Sequence, residues 1–263
     1  MHPLTHFQVP PGQVAIHWFE QSSYAIKTSQ GSVLQIDPYF PRVRPAERFL
    51  WAEPPLDETQ LPTDYVLLTH SHGDHTCSES VARIWQTNPQ ANFIGPRESI
   101  AKILAETPVA EAATQLIQAD ESLSLGPVTL YAVYAKPPGG DAAANIAPPD
   151  VTHLGYVVDS EGVRLYFSGD PINTFANHPD LMAAVAALKP DIGFLTNHPN
   201  EGEFPFYDGC VKMAEGIRLK HVVPAHRACF VKRDYNPHEW AAQFTAAGPQ
   251  PLIIPRDTHI LYP

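Results

Sequence analysis

Length, composition and charge exclude several classes of protein. The chain has 263 residues, enough to bury the core of one large α/β domain, and 44% of them are hydrophobic. The chain contains no run of about 20 apolar residues, which a transmembrane helix would require. Its formal net charge of -11 disfavours a protein that binds nucleic acid through clustered Lys and Arg.

Short strands separated by polar turns are predicted at the start of the chain, at residues 14–18, 23–27 and 32–36. The apolar run 64–69 predicts another strand, which ends directly on a cluster of histidines. The patterns then alternate, with predicted helices at 78–85, 97–104, 181–188, 207–218 and 238–244 and predicted strands at 92–94, 128–133, 154–158, 163–167, 192–196, 221–223, 252–254 and 259–261.

Two further features complete the predicted organisation. Residues 136–150, rich in Pro, Gly and Ala, have the composition of a loop and are a candidate lid, and the strands at 154–158 and 163–167 form a hairpin across 160–162. Strands first, followed by alternating strands and helices, favour two sheets packed face to face with helices outside, in a single domain over residues 1–263.

The N-terminus has neither the basic start nor the apolar core of a secretion signal. We therefore expect a cytoplasmic protein that acts on a small-molecule substrate, without a nucleic-acid or membrane partner, and as a homo-oligomer or a monomer. Three scattered cysteines are predicted to be reduced, mostly buried thiols: Cys77, Cys210 and Cys229.

The histidine cluster contains several side chains that can bind a metal ion. His70, His72, Asp74 and His75 lie in one loop directly after a predicted strand. Imidazole and carboxylate are preferred ligands of zinc and similar divalent ions. Four such side chains within six residues predict a metal site.

More candidate ligands follow other predicted strands. Asp170 comes just after the strand at 163–167, and His226 comes just after the strand at 221–223. Each alone is compatible with a structural role, as a turn cap or a core histidine. Three strand ends with ligand chemistry together favour a shared metal centre.

These motifs resemble a known superfamily. Thr69-His-Ser-His-Gly-Asp-His75, Ser168-Gly-Asp170 and Val223-Pro-Ala-His226 are similar to the successive motifs of the metallo-β-lactamase superfamily. Ile16-His-Trp-Phe-Glu-Gln21 and Ile36-Asp-Pro-Tyr39 further resemble the branch that contains the L-ascorbate-6-phosphate lactonases. The resemblance extends from about residue 13 to the C-terminus.

The resemblance implies an α/β fold, a four-layer αββα sandwich with two mixed sheets packed face to face and helices outside. It implies two divalent metal ions, zinc first, with manganese or iron as alternatives. The ligands it implies are His70 and His72 for the first ion, Asp74, His75 and His226 for the second, and Asp170 between the two.

One position departs from the family pattern. Where the branch usually has a further histidine for the first metal, this chain has Lys136 and Pro137. If the hairpin turns so that residue 160 pairs with 163, the register places His153 opposite Asp170, on the same face of the sheet. His153 is therefore the predicted replacement ligand, and the alternative is that it only borders the pocket.

The predicted activity is hydrolysis of a lactone or other ester of a small, phosphorylated or carboxylated substrate by a metal-bridged hydroxide. Asp74 or Asp170 would orient the water and carry its proton. His198, Arg227 and Lys136 are the predicted substrate contacts. Asp37 is predicted to accept a hydrogen bond from a ligand histidine, or else to cap a turn.

Two alternatives remain open at this point. The same dinuclear site is also compatible with a phosphodiesterase. The replaced histidine near Lys136 is compatible with a non-catalytic protein that binds or senses a metal.

Overall fold

A computed structural model describes residues 1–263, in which fourteen strands form two mixed sheets. Numbered along the chain, the first sheet contains β1 (Val14–Glu20), β2 (Ser23–Thr28), β3 (Val33–Ile36), β4 (Tyr65–Leu67), β5 (Asn92–Gly95), β6 (Thr114–Leu116) and β14 (Thr258–Tyr262). Their order is β14-β1-β2-β3-β4-β5-β6. The half from β14 to β3 is antiparallel, and the half from β3 to β6 is parallel.

The second sheet has the same mixed character. It contains β7 (Ser122–Leu125), β8 (Val128–Tyr134), β9 (Leu154–Ser160), β10 (Val163–Phe167), β11 (Ile192–Thr196), β12 (His221–Ala225) and β13 (Gln250–Pro251), in the order β13-β12-β11-β10-β9-β8-β7. The strands from β7 to β10 form an antiparallel meander, and those from β10 to β13 are parallel.

Helices cover the outer face of each sheet. They are α1 (Pro3–His6), α2 (Ser78–Thr87), α3 (Arg97–Glu106), α4 (Pro179–Ala187), α5 (Tyr207–Ile217) and α6 (Pro237–Ala241). The first sheet packs against α2 and α3, and the second sheet packs against α4, α5 and α6. None of the six helices has the length and apolar character needed to cross a membrane.

The main core lies between the sheets and contains 26 buried side chains from both of them. Strand β1 contributes side chains to two cores, one on each face of the sheet, and every one of its residues is buried. Ile16 and Trp18 point into the central core, whereas Ala15 and Phe19 pack outward against the N-terminal segment. Burying such a large apolar side chain contributes about 1.5–3 kcal/mol relative to leaving it exposed.

The structure confirms the predicted αββα sandwich and differs in detail. The predicted strand 252–254 is wrong, because pairing with β12 occurs at β13, where His221 opposes Gln250. The sequence analysis also missed β6 and β7, which lie at sheet edges and are half exposed. Edge strands contribute few core residues, so their hydrophobic pattern is weak. The three cysteines are free and buried, as predicted.

The topology brings several chain segments to one edge of the sandwich. The parallel strands β3, β4, β10, β11 and β12 all end there, and they are followed by Asp37, the loop at 68–75, Asp170, His198 and His226. Strand β9 is antiparallel to β10, so its beginning, next to His153, lies at this same edge. Polar side chains from both sheets therefore meet at the mouth of the sandwich.

Candidate metal centre

The loop after β4 is held in a compact turn. The backbone N–H groups of His75 and Thr76 both donate to the carbonyl of His72, at 3.0 and 2.8 Å. The Thr76 hydroxyl donates to the carbonyl of His70 at 2.7 Å, and Lys102 Nζ donates to that of Ser71 at 3.0 Å. These bonds fix the direction in which the histidines leave the backbone.

A first group of possible ligands consists of His70, His72 and His153. One nitrogen from each ring lies within 4.8 Å of the other two. The rings of His70 and His153 stack with centroids 4.1 Å apart. The hairpin register agrees with the prediction over the paired residues, from Ser160 with Val163 to Tyr156 with Phe167.

A second group consists of Asp74, His75 and His226, whose ligand atoms also lie within 4.8 Å of one another. His226 Nε2 is 3.5 Å from Asp74 Oδ2. The backbone of His226 has a φ of +60°, an uncommon conformation for a non-glycine residue that recurs at functional sites. The strand end is bent so that this imidazole faces the histidine loop.

Asp170 lies between the two groups. Its Oδ2 is 3.6 Å from His70 Nε2, while its Oδ1 is 3.3 Å from His75 Nε2 and 3.8 Å from His226 Nε2. The preceding Gly169 has a φ of +55°, and a Cβ there would lie 2.5 Å from the Leu154 carbonyl oxygen. Only glycine fits this turn, which places the carboxylate between the groups.

Buried polar atoms without partners test whether these residues fit a metal. His70 Nε2, both ring nitrogens of His153, His226 Nε2 and Asp170 Oδ1 are buried and have no hydrogen-bond partner. Such atoms are rare and destabilising, so each calls for an explanation. Converging imidazole nitrogens and carboxylate oxygens are the donors that zinc, manganese and iron accept. The residues therefore fit divalent metal ions.

The electrostatics of the cluster agree with this interpretation. Burial lowers the pKa of His70 well below its usual value and lowers that of His153 to about 3, so both rings are neutral, the form that binds a metal. Burial alone would raise the pKa of Asp170, but His75 and His226 outweigh it and hold that pKa well below its usual range. Asp170 is therefore a carboxylate.

Asp37 orients His75. Its Oδ2 lies 2.7 Å from His75 Nδ1 and accepts from the Thr69 hydroxyl at 2.7 Å, while Oδ1 accepts from the Thr69 backbone N–H at 2.8 Å. A carboxylate only accepts, so the Nδ1 of His75 carries the hydrogen and Nε2 faces the centre. The predicted contact of Asp37 with a ligand histidine is present.

Two polar residues of the site escaped the sequence analysis. Gln21 Nε2 donates to Asp74 Oδ2 at 3.0 Å and lies 3.3 Å from His75 Nε2. Asp150 oxygens lie 3.0 and 3.3 Å from His72 Nε2. Gln21 ends the motif at residues 16–21 and stands in a polar turn, and Asp150 ends the Pro-rich loop, so neither residue type predicted a role at the site.

Of the predicted substrate contacts, Lys136 borders the candidate centre, and His198 lies in a separate cleft. Lys136 lines a cleft of about 210 Å³ together with His153 and Asp150. His198 lines a second, open cleft, of about 470 Å³. Its Nδ1 accepts from the backbone N–H groups of Asn200 and Glu201, which fixes the ring.

Arg227 corrects the sequence analysis. Although it follows the candidate ligand His226, its guanidinium turns into the interior, where it lies 4.1 Å from the Trp18 ring centroid and donates to the carbonyl of Ile254 at 3.0 Å. It lines none of the clefts described here. Its contacts are with the protein interior, so the predicted substrate contact of Arg227 is wrong.

A further cleft opens on Asp74. It has a volume of about 540 Å³ and is lined by Tyr39, Glu47, Arg48, Gly73, Asp74, Phe230, Lys232 and Arg233. The segments that supply its walls precede α2 and follow His226, far apart in sequence. A small molecule in this cleft would lie beside the second group of ligands.

Comparison with known proteins gives the family. The family model described as the beta-lactamase superfamily domain matches residues 33–227. A UPF0173 metal-dependent hydrolase of Cupriavidus metallidurans is 24% identical over 267 residues, which cover 96% of this chain and 86% of the relative. Another, from Anaeromyxobacter sp., is 26% identical over 239 residues, covering 88% and 81%.

Solved structures share the fold. A metallo hydrolase of Ignicoccus hospitalis has a TM-score of 0.70 at 17% identity, covering 95% of this chain and 99% of its own. An isothiocyanate hydrolase from Delia radicum gut bacteria has a TM-score of 0.72 at 16% identity, covering 94% and 98%. The resemblance to L-ascorbate-6-phosphate lactonases stays a prediction. The chain belongs to the beta-lactamase superfamily domain family and is a metal-dependent hydrolase with the metallo-β-lactamase fold.

Proposed function

We propose that this protein uses two divalent metal ions to hydrolyse a lactone or another ester of a small anionic molecule. Zinc is the first choice of metal, and manganese and iron are the alternatives. The position of Asp170 carries the proposal, since its Oδ2 faces His70 and its Oδ1 faces His75 and His226. Nε2 of His70 and Nε2 of His226 have no hydrogen-bond partner. The proposed ligands are His70, His72, His153, Asp74, His75, His226 and Asp170.

Metal ions at this centre would supply Lewis acidity toward the scissile carbonyl and a lowered pKa for water. The side chains supply orientation and proton transfer. Asp37 orients His75 through its contact with Nδ1, and Gln21 orients Asp74 by donating to its Oδ2. Asp74 lies at the boundary between the centre and the cleft of about 540 Å³, so its carboxylate is positioned to hold a proton and pass it to a leaving-group oxygen.

Elemental analysis and a substrate panel test the proposal. The purified protein, loaded with zinc or manganese, is offered lactones, aryl esters, phosphodiesters, β-lactams and an isothiocyanate, the last because of the isothiocyanate hydrolase with the same fold. We expect close to two equivalents of metal and fastest turnover of a lactone or ester. Less than half an equivalent, with no ester or lactone hydrolysed after metal addition, would overturn the proposal.

A second candidate is phosphodiester hydrolysis, favoured by the cations Arg48, Lys232 and Arg233 in the cleft beside Asp74. Turnover of bis-p-nitrophenyl phosphate far above that of every lactone and ester would decide for it. A non-catalytic metal-binding or sensing protein is the third reading, and it requires that Asp170→Asn leave every measured hydrolysis rate unchanged.

A further inference from the structure

We propose that Arg48 and Lys232 form an anion-binding subsite beside an aromatic wall made by Tyr39 and Phe230, so that the substrate is a flat or ring-containing ester with a carboxylate or phosphate group. This inference rests on the proposed hydrolysis and names its substrate class. All four residues line the cleft of about 540 Å³ that opens on Asp74.

The backbone holds Arg48 at the rim of the cleft. Phe49 and Phe230 form an isolated antiparallel bridge, and the Val231 N–H donates to the Arg48 carbonyl at 2.9 Å. The Arg48 guanidinium carbon lies 5.4 Å from the ring centroids of both Phe49 and Phe230. The chain segment that starts at the ligand His226 thus also positions the subsite.

The cations of the cleft differ in availability. Arg233 is held by Glu201 at 2.9 Å and Glu203 at 3.0 Å. Arg48 and Lys232 are exposed and form no ion pair with any carboxylate of the protein. Two unpaired cations facing one cleft, in a chain whose net charge is -11, create a local positive potential that attracts an anion.

The acidic groups of the cleft do not cancel that charge. Asp74 is engaged by His226 Nε2 at 3.5 Å and by Gln21 Nε2 at 3.0 Å. Glu47 is exposed and pairs with neither cation. The arrangement leaves Arg48, with its planar fork of N–H donors, and Lys232, a point charge, for a carboxylate or phosphate.

The aromatic wall indicates the shape of the rest of the ligand. The ring centroids of Tyr39 and Phe230 are 5.6 Å apart, and those of Phe49 and Phe230 are 5.4 Å apart. Aromatic side chains give a rigid apolar surface that favours a flat group packed against it. A ring placed there, with its anionic group toward Arg48, has Asp74 and the metal centre beside it.

A matched pair of substrates tests the subsite in the metal-loaded enzyme. 4-Acetoxybenzoate carries a carboxylate, and 4-acetoxybenzamide is its neutral counterpart. We expect the Arg48→Gln/Lys232→Gln double variant to lower kcat/KM for the anionic ester by about 10- to 100-fold, mainly through KM, as the loss of charge-assisted hydrogen bonds predicts. For the amide, kcat/KM should change less than about twofold, because it places no charge in the subsite.

Controls separate the subsite from general charge effects. Lys212→Gln removes another exposed cation, on α5, where Lys212 pairs only with Asp208, and should leave the preference for the anion unchanged. Glu47→Gln should strengthen the preference for the anion. If the double variant keeps the wild-type ratio of kcat/KM for the anionic and neutral esters, the subsite proposal is wrong.

A binding measurement keeps the subsite distinguishable from the hydrolase activity. Calorimetry with 4-hydroxybenzoate and the metal-loaded protein should give weaker binding in the double variant than in the wild type. This loss would support the subsite even if no ester is hydrolysed, in which case only the proposed reaction fails. Equal binding to both proteins would overturn the subsite.

Discussion

The two halves of the metal centre are built differently. His75 is completely buried, with Asp37 behind one nitrogen and Gln21 beside the other. His72, in the first half, is 34% exposed, and the one hydrogen-bond partner of its ring is the carboxylate of Asp150, itself 70% exposed. His153 has no hydrogen-bond partner on either ring nitrogen.

The different support behind the two groups of histidines predicts different metal affinities. Ligands whose second nitrogen is hydrogen-bonded are pre-oriented and more basic, so they bind a metal more tightly. In the second half, His75 has that support from the Asp37 carboxylate. In the first half, His70 has it from the Thr69 hydroxyl at 3.0 Å, whereas His153 has none. We expect the second half to hold its metal firmly and the first half to release its metal more easily.

The largest expected effect comes from the residue that both halves share. Asp170→Asn removes the negative charge between His70 and His75, so both metals should bind more weakly and activity should fall by at least about 100-fold, the upper end of the cost of substitutions behind the ligands. Elemental analysis and initial rates measure this. Asp208→Asn, on the surface of α5, is the matched control and should leave both unchanged.

Next in size is the removal of His153. His153→Gln should release about one equivalent of metal from the first half and leave the metal beside His75 in place. The reason is that His153 belongs only to the first group of candidate ligands, whereas His226 belongs only to the second. Titration with a chelator before and after the substitution gives the result. Two equivalents retained at wild-type affinity would show that His153 only borders the pocket.

Asp37→Asn tests the support behind the second half. The substitution keeps the size of the side chain but removes the charge next to His75 Nδ1, so the affinity of the tightly held metal should fall about 10- to 100-fold. Chelator competition measures the affinity, and the melting temperature of the metal-free protein shows whether the fold is intact. A selective loss from the first half instead would contradict the comparison.

The smallest effect is expected at Asp150. Asp150→Asn weakens an exposed contact with His72, and exposed ion pairs contribute about 0.2–1 kcal/mol, so metal affinity of the first half should change less than about fivefold. The same chelator titration measures it. A loss as large as that of His153→Gln would mean that Asp150 binds the metal itself.

Much of this centre could be predicted from the sequence because its parts are local. His70, His72, Asp74 and His75 are neighbours in one loop after an apolar strand, and Asp170 and His226 each end a strand of recognisable pattern. The position of His153 followed from the register of a tight hairpin, which the turn at 161–162 sets.

Only the tertiary structure decided how side chains from distant segments face one another. Arg227 follows a ligand directly, yet the packing of Trp18 draws it into the core, while Arg48 and Lys232 become neighbours through a backbone bridge between two remote loops. The edge strands β6 and β7 were missed for a related reason, since they bury too little to leave a pattern. The candidate ligands stand in short local motifs, whereas the cleft beside Asp74 depends on long-range packing that no local pattern records.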